Sequence, residues 1–282
     1  MTPRHQNKPD GFSVMTINVR FGLADSGEFS WKNRKAAFTE LFAAWQPDFI
    51  AMQEVNDFQA AFFRTVLSDY GCLGERRPAP SFWQNVLIFH KKIWQCRAHD
   101  HFFLSDTPAV PSRMPESKWP RQAVIGEFLN GDKRLVCLNT HFDFSEYVQQ
   151  KSVDIILRRL AAFAAPGTPE IIAGDFNAGP QSACYQSLTD GSLTQPPFRD
   201  PFDPEAPGTF HNFTGCPISS RVDWILWRHN AHPRTRQIIT DQFRDFYPSD
   251  HFPVYAAFEY ITGPNQHPEN ASNAASADRR QP

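Results

Sequence analysis

The segment IIAGDFNAGP at residues 171–180 is the strongest fold signal in this chain, because an apolar run typical of a buried strand leads directly into an acid and an amide. Asp175 and Asn177 are two positions apart, so both side chains can project from one side. Gly174 before them and Gly179-Pro180 after them permit a tight loop. Such a pair can orient a water molecule and hold a phosphoryl oxygen. Taken alone, the segment is explained equally well by an Asx turn at a strand end.

Five further segments combine an apolar run with a polar side chain inside it or at its end. A buried carboxylate or amide is costly unless something satisfies it. Groups of this kind can satisfy one another by converging on a hard cation or an anionic substrate. The pattern therefore predicts one metal- and phosphate-binding site. Its members are Asn18 in MTINVRFG, Gln53 and Glu54 in IAMQEV, Asn139 and His141 in CLNTHFD, Asp223 in RVDWILW, and Asp250 and His251 in SDHFPV.

Each of these residues also has a simpler explanation when it is taken singly. Glu54 could be a surface charge at a strand end, and His141 could be a satisfied core histidine. Asp223 is harder to explain alone, because an acid inside an apolar strand needs a histidine partner or a ligand network. Without a shared site, a separate explanation of this kind would have to hold for each of the six segments. We therefore favour a shared site in which Glu54 is a magnesium ligand.

The overall composition is that of an ordinary globular protein. The chain has 282 residues, 41% hydrophobic and 21% charged, which suits one large α/β domain or two small ones. The formal net charge of −2 gives no global field that favours nucleic acid, so any contact with a polyanion would be local. Candidates for such a contact, each more often a solvated surface group, are Arg76-Arg77, the stretch with Arg113, Lys118 and Arg121, and Arg158-Arg159.

The cysteines and the apolar runs bear on location. The five cysteines are widely spaced and form no C-x-x-C pair, which argues against a disulfide scaffold and a structural zinc site. The first residues, MTPRHQNKPDG, lack the apolar core of a signal peptide. No apolar run approaches the ~20 residues that a membrane helix requires. We expect a cytoplasmic protein with no membrane span and no obligate protein partner.

Apolar periodicity predicts strands and helices that alternate in the first and central parts of the chain. We predict a polar lead-in at 1–11, a single domain at 12–262 and a disordered tail at 263–282. Pro-rich loops at 105–120 and 191–218 are expected to decide specificity. Helices are predicted at 31–45, 57–69 and 145–164, and a hairpin turn at Gly131-Asp132. Strands are predicted for FSVMTINVRF, PDFIAMQEV, NVLIFHK, residues 93–104, QAVIGEFLN, RLVCLNTHF, PEIIAGDF, RVDWILW, RTRQIIT and FPVYAAFEY.

The order of these motifs resembles that of the endonuclease/exonuclease/phosphatase superfamily, which includes deoxyribonuclease I, exonuclease III and inositol polyphosphate 5-phosphatases. The similar motifs span residues 12 to 258: Asn18 in the first strand, Q-E-V, N-T-H, G-D-F-N-x-x-P, V-D-W-I and S-D-H-x-P. The resemblance implies an α/β fold, a four-layer α/β-sandwich of two packed mixed β-sheets flanked by helices, as in deoxyribonuclease I. The segment GTFHNFTG at 208–215 is similar to uncharacterised bacterial members.

The resemblance also implies a metal site with Mg²⁺, or Mn²⁺ in its place. Glu54 would be the main ligand, with Asn18 beside it, and Asp250 would contribute to the metal site or hold its neighbour. Arg20 stands where the exonuclease III branch has an acid, which weakens a reading as an abasic-site endonuclease.

Catalytic roles follow from the same resemblance. Asp175 would position or deprotonate the attacking water, and Asn177 would bind the phosphate. Asp223 would orient a histidine, and His141 and His251 would contact the scissile phosphate. Arg121 is a candidate phosphate clamp, with a plain surface arginine as the alternative. Many relatives carry an acid that supports the last histidine where this chain has Trp83-Gln84-Asn85.

We therefore predict a Mg²⁺-dependent phosphoester hydrolase, a phosphodiesterase or phosphatase. The substrate class stays open among small molecules, lipid head groups and nucleic acid, and the alternative function is a DNA or RNA nuclease. The net charge of −2 favours the small phosphoester, because a nuclease usually needs a basic cleft. A catalytically inactive phosphate-binding module is a further alternative, opposed by the intact set of acids and histidines.

Overall fold

The computed structural model describes residues 10–75 and 83–261. The predicted tail, most of the predicted lead-in and the Arg76-Arg77 candidate lie outside these residues. The first strand begins at Gly11, one residue before the predicted start of the domain. The bounds of the single domain at 12–262 stay a prediction.

Six strands form the first sheet. Strand β1 pairs parallel with β2 and antiparallel with β11, so the sheet is mixed. The order across the sheet is β10-β11-β1-β2-β4-β3. The strands are β1 at Gly11–Asn18, β2 at Phe49–Val55, β3 at Tyr70–Leu73, β4 at Asn85–Lys91, β10 at Ala231–Ile238 and β11 at Val254–Tyr260.

Five strands form the second sheet, in the order β5-β6-β7-β8-β9. Only β7 and β8 pair parallel, and the remaining neighbours are antiparallel. The predicted hairpin joins β6 to β7, and Gly131 adopts the positive φ of 63° that its turn requires. The strands are β5 at Gln95–Phe103, β6 at Gln122–Asn130, β7 at Lys133–His141, β8 at Glu170–Asp175 and β9 at Asp223–Arg228.

In the part of the chain that the structure describes, four α-helices lie outside the sheets: α1 at Trp31–Trp45, α2 at Asp57–Val66, α3 at Glu146–Phe163 and α4 at Ala183–Thr189. Helix α1 has its predicted bounds, with Ser30 at the N-cap and Gln46 in the left-handed conformation just past its end. Helix α2 was predicted to continue to residue 69, which is wrong, because the chain turns there to pair β3 with β4. The sequence analysis missed β3 and α4.

Three apolar layers separate four layers of secondary structure, which confirms the predicted α/β-sandwich. Side chains of α1 and α2 pack on the outer face of the first sheet. Side chains of α3 and α4 pack on the outer face of the second sheet. The inner faces pack against each other, with Val14 of β1 and Ile171 of β8 in this middle layer. Strands covered on both faces carry continuous apolar runs. Among the described residues, no helix is long and apolar enough to cross a membrane.

A polar bridge interrupts the middle layer. The fully buried Gln53 donates from Nε2 to Oδ1 of Asn139 at 2.7 Å. Asn139 in turn donates to the carbonyl oxygens of Met52 at 2.9 Å and Leu87 at 2.7 Å. These two amides therefore join the sheets to each other beneath the cavity described below. The prediction that Gln53 and Asn139 belong to the shared site is wrong.

Candidate active site

The carboxyl ends of strands from both sheets meet at one end of the sandwich. In the register of the second sheet, Asp175 lies beside His141 on one side and Asp223 on the other. Asn18 of the first sheet donates from Nδ2 to Oδ2 of Asp175 at 2.9 Å, which joins the two sheets at this point. The residues surround a cavity of about 460 Å³. Its lining includes Asn18, Arg20, Glu54, Trp119, Arg121, His141, Phe144, Asp175, Asn177, Phe210, Asp250 and His251.

Asp175 is the centre of the site. Its Oδ1 accepts a hydrogen bond from the backbone N–H of Asn177 at 2.9 Å. Its Oδ2 lies 3.4 Å from Nε2 of His141 and 3.9 Å from Nε2 of His251. Burial, reinforced by the charge of Asp223, raises the pKa of Asp175 to about 6. This carboxylate can therefore exchange a proton near neutral pH.

His251 is held by Asp223. Its Nδ1 lies 2.8 Å from Oδ2 of Asp223, and both side chains are buried. Burial by itself lowers the pKa of His251, but the charges of Asp223 and Asp175 outweigh it and raise the pKa to about 10. The histidine is therefore an imidazolium at neutral pH, with Nε2 directed toward Asp175. Asp223 thus supports the last histidine in a chain that has no acid at positions 83–85.

His141 differs from His251 in the direction of its pKa shift. Burial, with smaller contributions from the charges of Arg121 and His251, lowers the pKa of His141 well below its ordinary value. Asn177 donates from Nδ2 to the carbonyl oxygen of Phe142 at 3.0 Å, and this Nδ2 lies 3.1 Å from Nε2 of His141. A neutral imidazole that accepts at Nε2 satisfies this contact. The site thus combines one charged and one neutral histidine.

Glu54 reaches the cavity through a distortion of β2. The pairing of β2 with β4 shifts register between Met52 and Val55, and Glu54 adopts a left-handed φ of 63°. Such a conformation costs a non-glycine residue about 1–3 kcal/mol and is concentrated at functional sites. The two carboxylate oxygens accept from Asn18 Nδ2 at 3.1 Å and from the Phe21 N–H at 2.8 Å.

The acids at this end of the sandwich fit a hard divalent cation. The amide nitrogen of Asn18 bridges Glu54 and Asp175, so two carboxylates face each other across a single donor. Asp175, Asp223 and His251 also offer ligand atoms within 4.8 Å of one another. Asp223 Oδ2 is occupied by His251, however, and Asp223 does not line the cavity. Glu54 and Asp175 are therefore the residues that could hold a cation, because their oxygen atoms face the cavity.

Asn18 and Asp250 are nearby but already engaged. The Oδ1 of Asn18 accepts from the Arg20 N–H at 2.9 Å, so its nitrogen faces the carboxylates. Asp250 Oδ2 lies 3.1 Å from Nη1 of Arg20, and its Oδ1 accepts from Ser249. Arg20 is itself held by Asp25 through two hydrogen bonds of 2.9 and 3.0 Å. Asp250 therefore has a fixed arginine partner on the cavity wall.

Arg121 is buried, not a surface arginine. Its Nε donates to Oδ2 of Asp143 at 3.3 Å, and its guanidinium lies 5.6 Å from the centre of the Phe144 ring. In the described part of the chain, its two Nη nitrogens make no hydrogen bond. The side chain lines the cavity, so these nitrogens are suited to a phosphoryl oxygen.

Sequence reasoning missed a segment that braces the Asp223–His251 pair. Thr209 accepts at Oγ1 from the N–H groups of Val222 at 3.1 Å and Asp223 at 3.2 Å. The carbonyl oxygen of Asp250 accepts from the N–H groups of His211 and Asn212. The sequence signal for this brace was the GTFHNFTG segment, whose role cannot be inferred without its partners.

Arg34 is a second residue that sequence reasoning missed. It lies on α1, is almost fully buried, and donates from Nη1 to the carbonyl oxygens of Val19 at 3.2 Å and Pro248 at 2.5 Å. These contacts tie the loop after β1 to the turn that carries His251. A sequence signal existed, since Arg34 lies one helical turn before Phe38 on the apolar face of α1.

A larger cleft, of about 720 Å³, lies between the 105–116 loop and α3. Its charged residues include Arg158 and Arg159, and Arg159 pairs with Asp100 at 3.0 Å. None of the converging acids and histidines lines it. We therefore place the chemistry in the smaller cavity.

A two-sheet sandwich with acids, amides and two histidines at the ends of its strands has the groups that hydrolysis of a phosphoester bond requires. The sequence model of the Endonuclease/Exonuclease/phosphatase family matches residues 15–251, and the chain belongs to this family. Members of the family are hydrolases that act on phosphoester bonds.

Two solved structures from Bacteroides have a similar fold. A family member from Bacteroides vulgatus superposes with a TM-score of 0.80 at 23% identity, covering 89% of this chain and 99% of its own. A mannosyl-6-phosphatase from Bacteroides thetaiotaomicron superposes with a TM-score of 0.78 at 22% identity, covering 88% of this chain and 100% of its own. At these identities the likeness shows the fold alone.

A curated relative is a probable RNA exonuclease from Schizosaccharomyces pombe. It is 24% identical over 197 residues, which are 64% of this chain. The match covers 39% of the relative, so the chain spans about two fifths of the length of that protein.

Proposed function

We propose that this protein is a Mg²⁺-dependent hydrolase of small phosphoesters that acts by in-line attack of water. The observation that carries the proposal is the convergence of Glu54, Asp175 and His251 on one cavity, from three segments far apart in sequence. Family membership supports the hydrolysis of a phosphoester bond. The metal, the substrate class and the role of each residue are the proposal.

Glu54 would hold the divalent cation, Mg²⁺ or Mn²⁺, with Asn18 beside it. When bound, the cation supplies Lewis-acid stabilisation of the charge that develops on the phosphoryl oxygens. Asp250, fixed by Arg20, contributes negative charge to the same side of the cavity.

Asp175 orients and deprotonates the attacking water. Its raised pKa supports this role, because a base is most effective when its pKa lies near the working pH. Asn177 holds a phosphoryl oxygen through Nδ2 when that nitrogen exchanges its contact with Nε2 of His141 for the substrate, and His141, released from that contact, contacts the same group. The backbone N–H of Asn177 lies 2.9 Å from Oδ1 of Asp175, and Nε2 of His141 lies 3.4 Å from its Oδ2.

His251 supplies positive charge and a proton to the phosphoryl group from beside Asp175, since its Nε2 lies 3.9 Å from Oδ2 of Asp175. Its Nδ1 is occupied by Asp223, so Nε2 is the nitrogen that faces the substrate. Asp223 acts through His251 by fixing the orientation of the ring and stabilising its charge. Arg121 completes the anion site with its two Nη nitrogens.

The cavity favours a small substrate over a nucleic acid duplex. Its volume of about 460 Å³ is that of a small-molecule site. Arg20 and Arg121 on its wall already have carboxylate partners, so the wall offers little net positive charge to a polyanion. A nuclease remains the second candidate, supported by the probable RNA exonuclease among the relatives. The cytoplasmic location stays a prediction.

The test is a panel of phosphoesters assayed with Mg²⁺, with Mn²⁺ and with EDTA. It contains bis-p-nitrophenyl phosphate, mannose 6-phosphate, an inositol phosphate, sphingomyelin, single-stranded DNA and RNA. We expect metal-dependent turnover of a small phosphoester that changes little between 50 and 200 mM salt. A rate that falls steeply with salt would favour the nuclease, because counterion release dominates binding to nucleic acid. Metal-bound protein that turns over none of these would favour the inactive binding module.

A further inference from the structure

The lining of the active-site cavity includes two exposed aromatic rings, from Trp119 and Phe144, and Arg121, whose guanidinium lies 5.6 Å from the centre of the Phe144 ring. We call these three residues the recognition wall. The exposed fractions are 52% for Trp119 and 73% for Phe144, whereas most phenylalanines and tryptophans of the described chain are buried in the three apolar layers. Exposed apolar surface beside a ligand cavity is typical of a binding site.

The two rings contribute little to the packing of the fold. In the described residues, the ring of Trp119 has one cation contact, with Nζ of Lys118 at 4.9 Å, and no contact with another aromatic ring. In the same residues, the ring of Phe144 has one cation contact, with the guanidinium of Arg121, and no contact with another aromatic ring. Phe176, by contrast, stacks on Trp224 with ring centres 4.2 Å apart. Trp119 and Phe144 thus have aromatic faces without aromatic partners.

Asp143 holds this wall in place. Its Oδ2 accepts from Oγ of Ser117 at 2.6 Å and from Arg121, and its Oδ1 accepts from the N–H of Ser145 at 3.1 Å. One carboxylate therefore connects the loop before β6, which carries Trp119, to the loop after β7, which carries Phe144. Rings on loops fixed in this way form a preorganised surface.

We propose that the recognition wall stacks on a heteroaromatic ring of the substrate, so that the natural substrate is a nucleotide-sized phosphoester. This inference rests on the proposed function, because the ring must be attached to the phosphoryl group that Asp175 and His251 process. Flat rings stack favourably on tryptophan, phenylalanine and arginine, in a manner that tolerates different bases. A cavity of about 460 Å³ accepts a single nucleotide unit but not a duplex.

The test compares ligands that share a phosphate but differ in the attached group. Isothermal titration with Ca²⁺ in place of Mg²⁺ measures the binding of AMP, ribose 5-phosphate and phosphocholine, and released phosphate is assayed afterwards to verify that no ligand was hydrolysed. The variants are Trp119→Ala and Phe144→Ala. The matched control is Tyr147→Ala, since Tyr147 is 55% exposed, carries Lys151 over its ring at 5.7 Å and lies outside this cavity.

We expect the wild type to bind AMP about tenfold more tightly than ribose 5-phosphate, the size of one base–aromatic stack. Each wall variant should bind AMP about tenfold more weakly than the wild type and should bind ribose 5-phosphate with unchanged affinity. The control variant should bind both ligands with wild-type affinity. Equal binding of AMP and ribose 5-phosphate, preference for phosphocholine, or no binding of AMP would overturn the inference. So would equal loss for both ligands in Trp119→Ala, which would mean that the ring only supports the phosphate site.

The same preparations are assayed for Mg²⁺-dependent hydrolysis of bis-p-nitrophenyl phosphate, which separates the two proposals. Turnover without a preference for AMP over ribose 5-phosphate would reject the proposed role of the recognition wall and leave the proposed hydrolase activity in place. A preference for the base without any turnover would reject the hydrolase and leave the recognition of the ring in place.

Discussion

The two sides of the active-site cavity consist of different kinds of residue. The catalytic side consists of buried and half-buried polar groups at strand ends, Glu54, Asp175 and His251 among them, which contact one another across the two sheets. The recognition wall consists of two exposed rings and an arginine on loops, which are joined through Asp143. The catalytic side is stabilised by its own contacts, whereas the recognition wall leaves its apolar surface uncovered.

We infer from this difference that the catalytic side carries out the reaction and the recognition wall selects the substrate. Buried acids and imidazoles alter one another's pKa values, so a change in one should be felt by the others. Rings that contact little else should be replaceable with small effects on the fold and on the chemical step. The largest effects are therefore expected on the catalytic side.

The largest expected effect is that of removing the proposed base or the charged histidine. Asp175→Ala and His251→Ala should each lower kcat/KM by roughly 10²–10⁴-fold, the contribution of a positioned acid or base. The measurement is steady-state hydrolysis with Mg²⁺, with circular dichroism to verify folding. Asp106→Ala, in the larger cleft, is the control and should retain full activity. A folded Asp175→Ala enzyme with more than a tenth of wild-type activity would remove this residue from the mechanism.

A smaller effect is expected when one proposed metal ligand is replaced than when the metal itself is removed. EDTA should abolish activity, and Glu54→Gln should weaken Mn²⁺ binding by at least about tenfold, since losing a ligand costs no less than losing a group that supports one. Electron paramagnetic resonance of free Mn²⁺ measures this independently of turnover. Glu116→Gln, outside the cavity, is the control. Unchanged Mn²⁺ affinity in Glu54→Gln would move the metal site to another set of acids.

The Asp223–His251 pair should make stability depend on pH. The folded-state pKa of His251 is raised from 6.5 to about 10, so this contribution is fully present below about pH 6.5 and is lost as the pH rises through about 10. Asp223→Asn should therefore lower the free energy of unfolding by about 1–3 kcal/mol at pH 7 and by less at pH 10. Thermal melts in EDTA between these pH values measure the difference. A gap between variant and wild type that widens with pH would contradict the assignment of the charge to His251.

The smallest effect is expected on the recognition wall. Asp143→Asn removes the counter-charge of Arg121 and weakens the link between the two loops. We expect KM to rise by about threefold to tenfold, as for the loss of one hydrogen bond, with kcat nearly unchanged. Asp203→Ala, an exposed acid, is the control. A fall in kcat comparable to that of His251→Ala would show that the two sides are not separate.

The catalytic side was largely accessible from the sequence, because it violates the apolar pattern of its strands. An acid such as Asp223 in RVDWILW has no local reason to be buried, and its position therefore indicated a partner. The recognition wall gave no such signal. Trp119 and Phe144 lie in loops, where an aromatic residue conflicts with no pattern and its exposure depends on the surrounding chain.

The sequence also did not show how far from the end of the sandwich each residue of a strand lies. Asn139 and His141 are two positions apart on β7 and share a face. The register with β8 places His141 beside Asp175 at the edge and Asn139 beside Ala173, two residues deeper. The deeper amide bonds across the sheets, while the histidine reaches the cavity. β3 and α4 were missed because short segments form mainly through their neighbours.

By itself, the sequence determined the order of most strands and helices and the strand ends that carry acids and histidines. These features follow from local periodicity and from the cost of burying charge, both of which can be read along the chain. The four-layer class came from the resemblance of the motifs to a known family. Only the tertiary structure decided that Asp223 supports His251, that Gln53 and Asn139 join the sheets, and that the rings of Trp119 and Phe144 line the same cavity as the acids and histidines. Those contacts join residues far apart in the chain, and their geometry depends on how the two sheets pack.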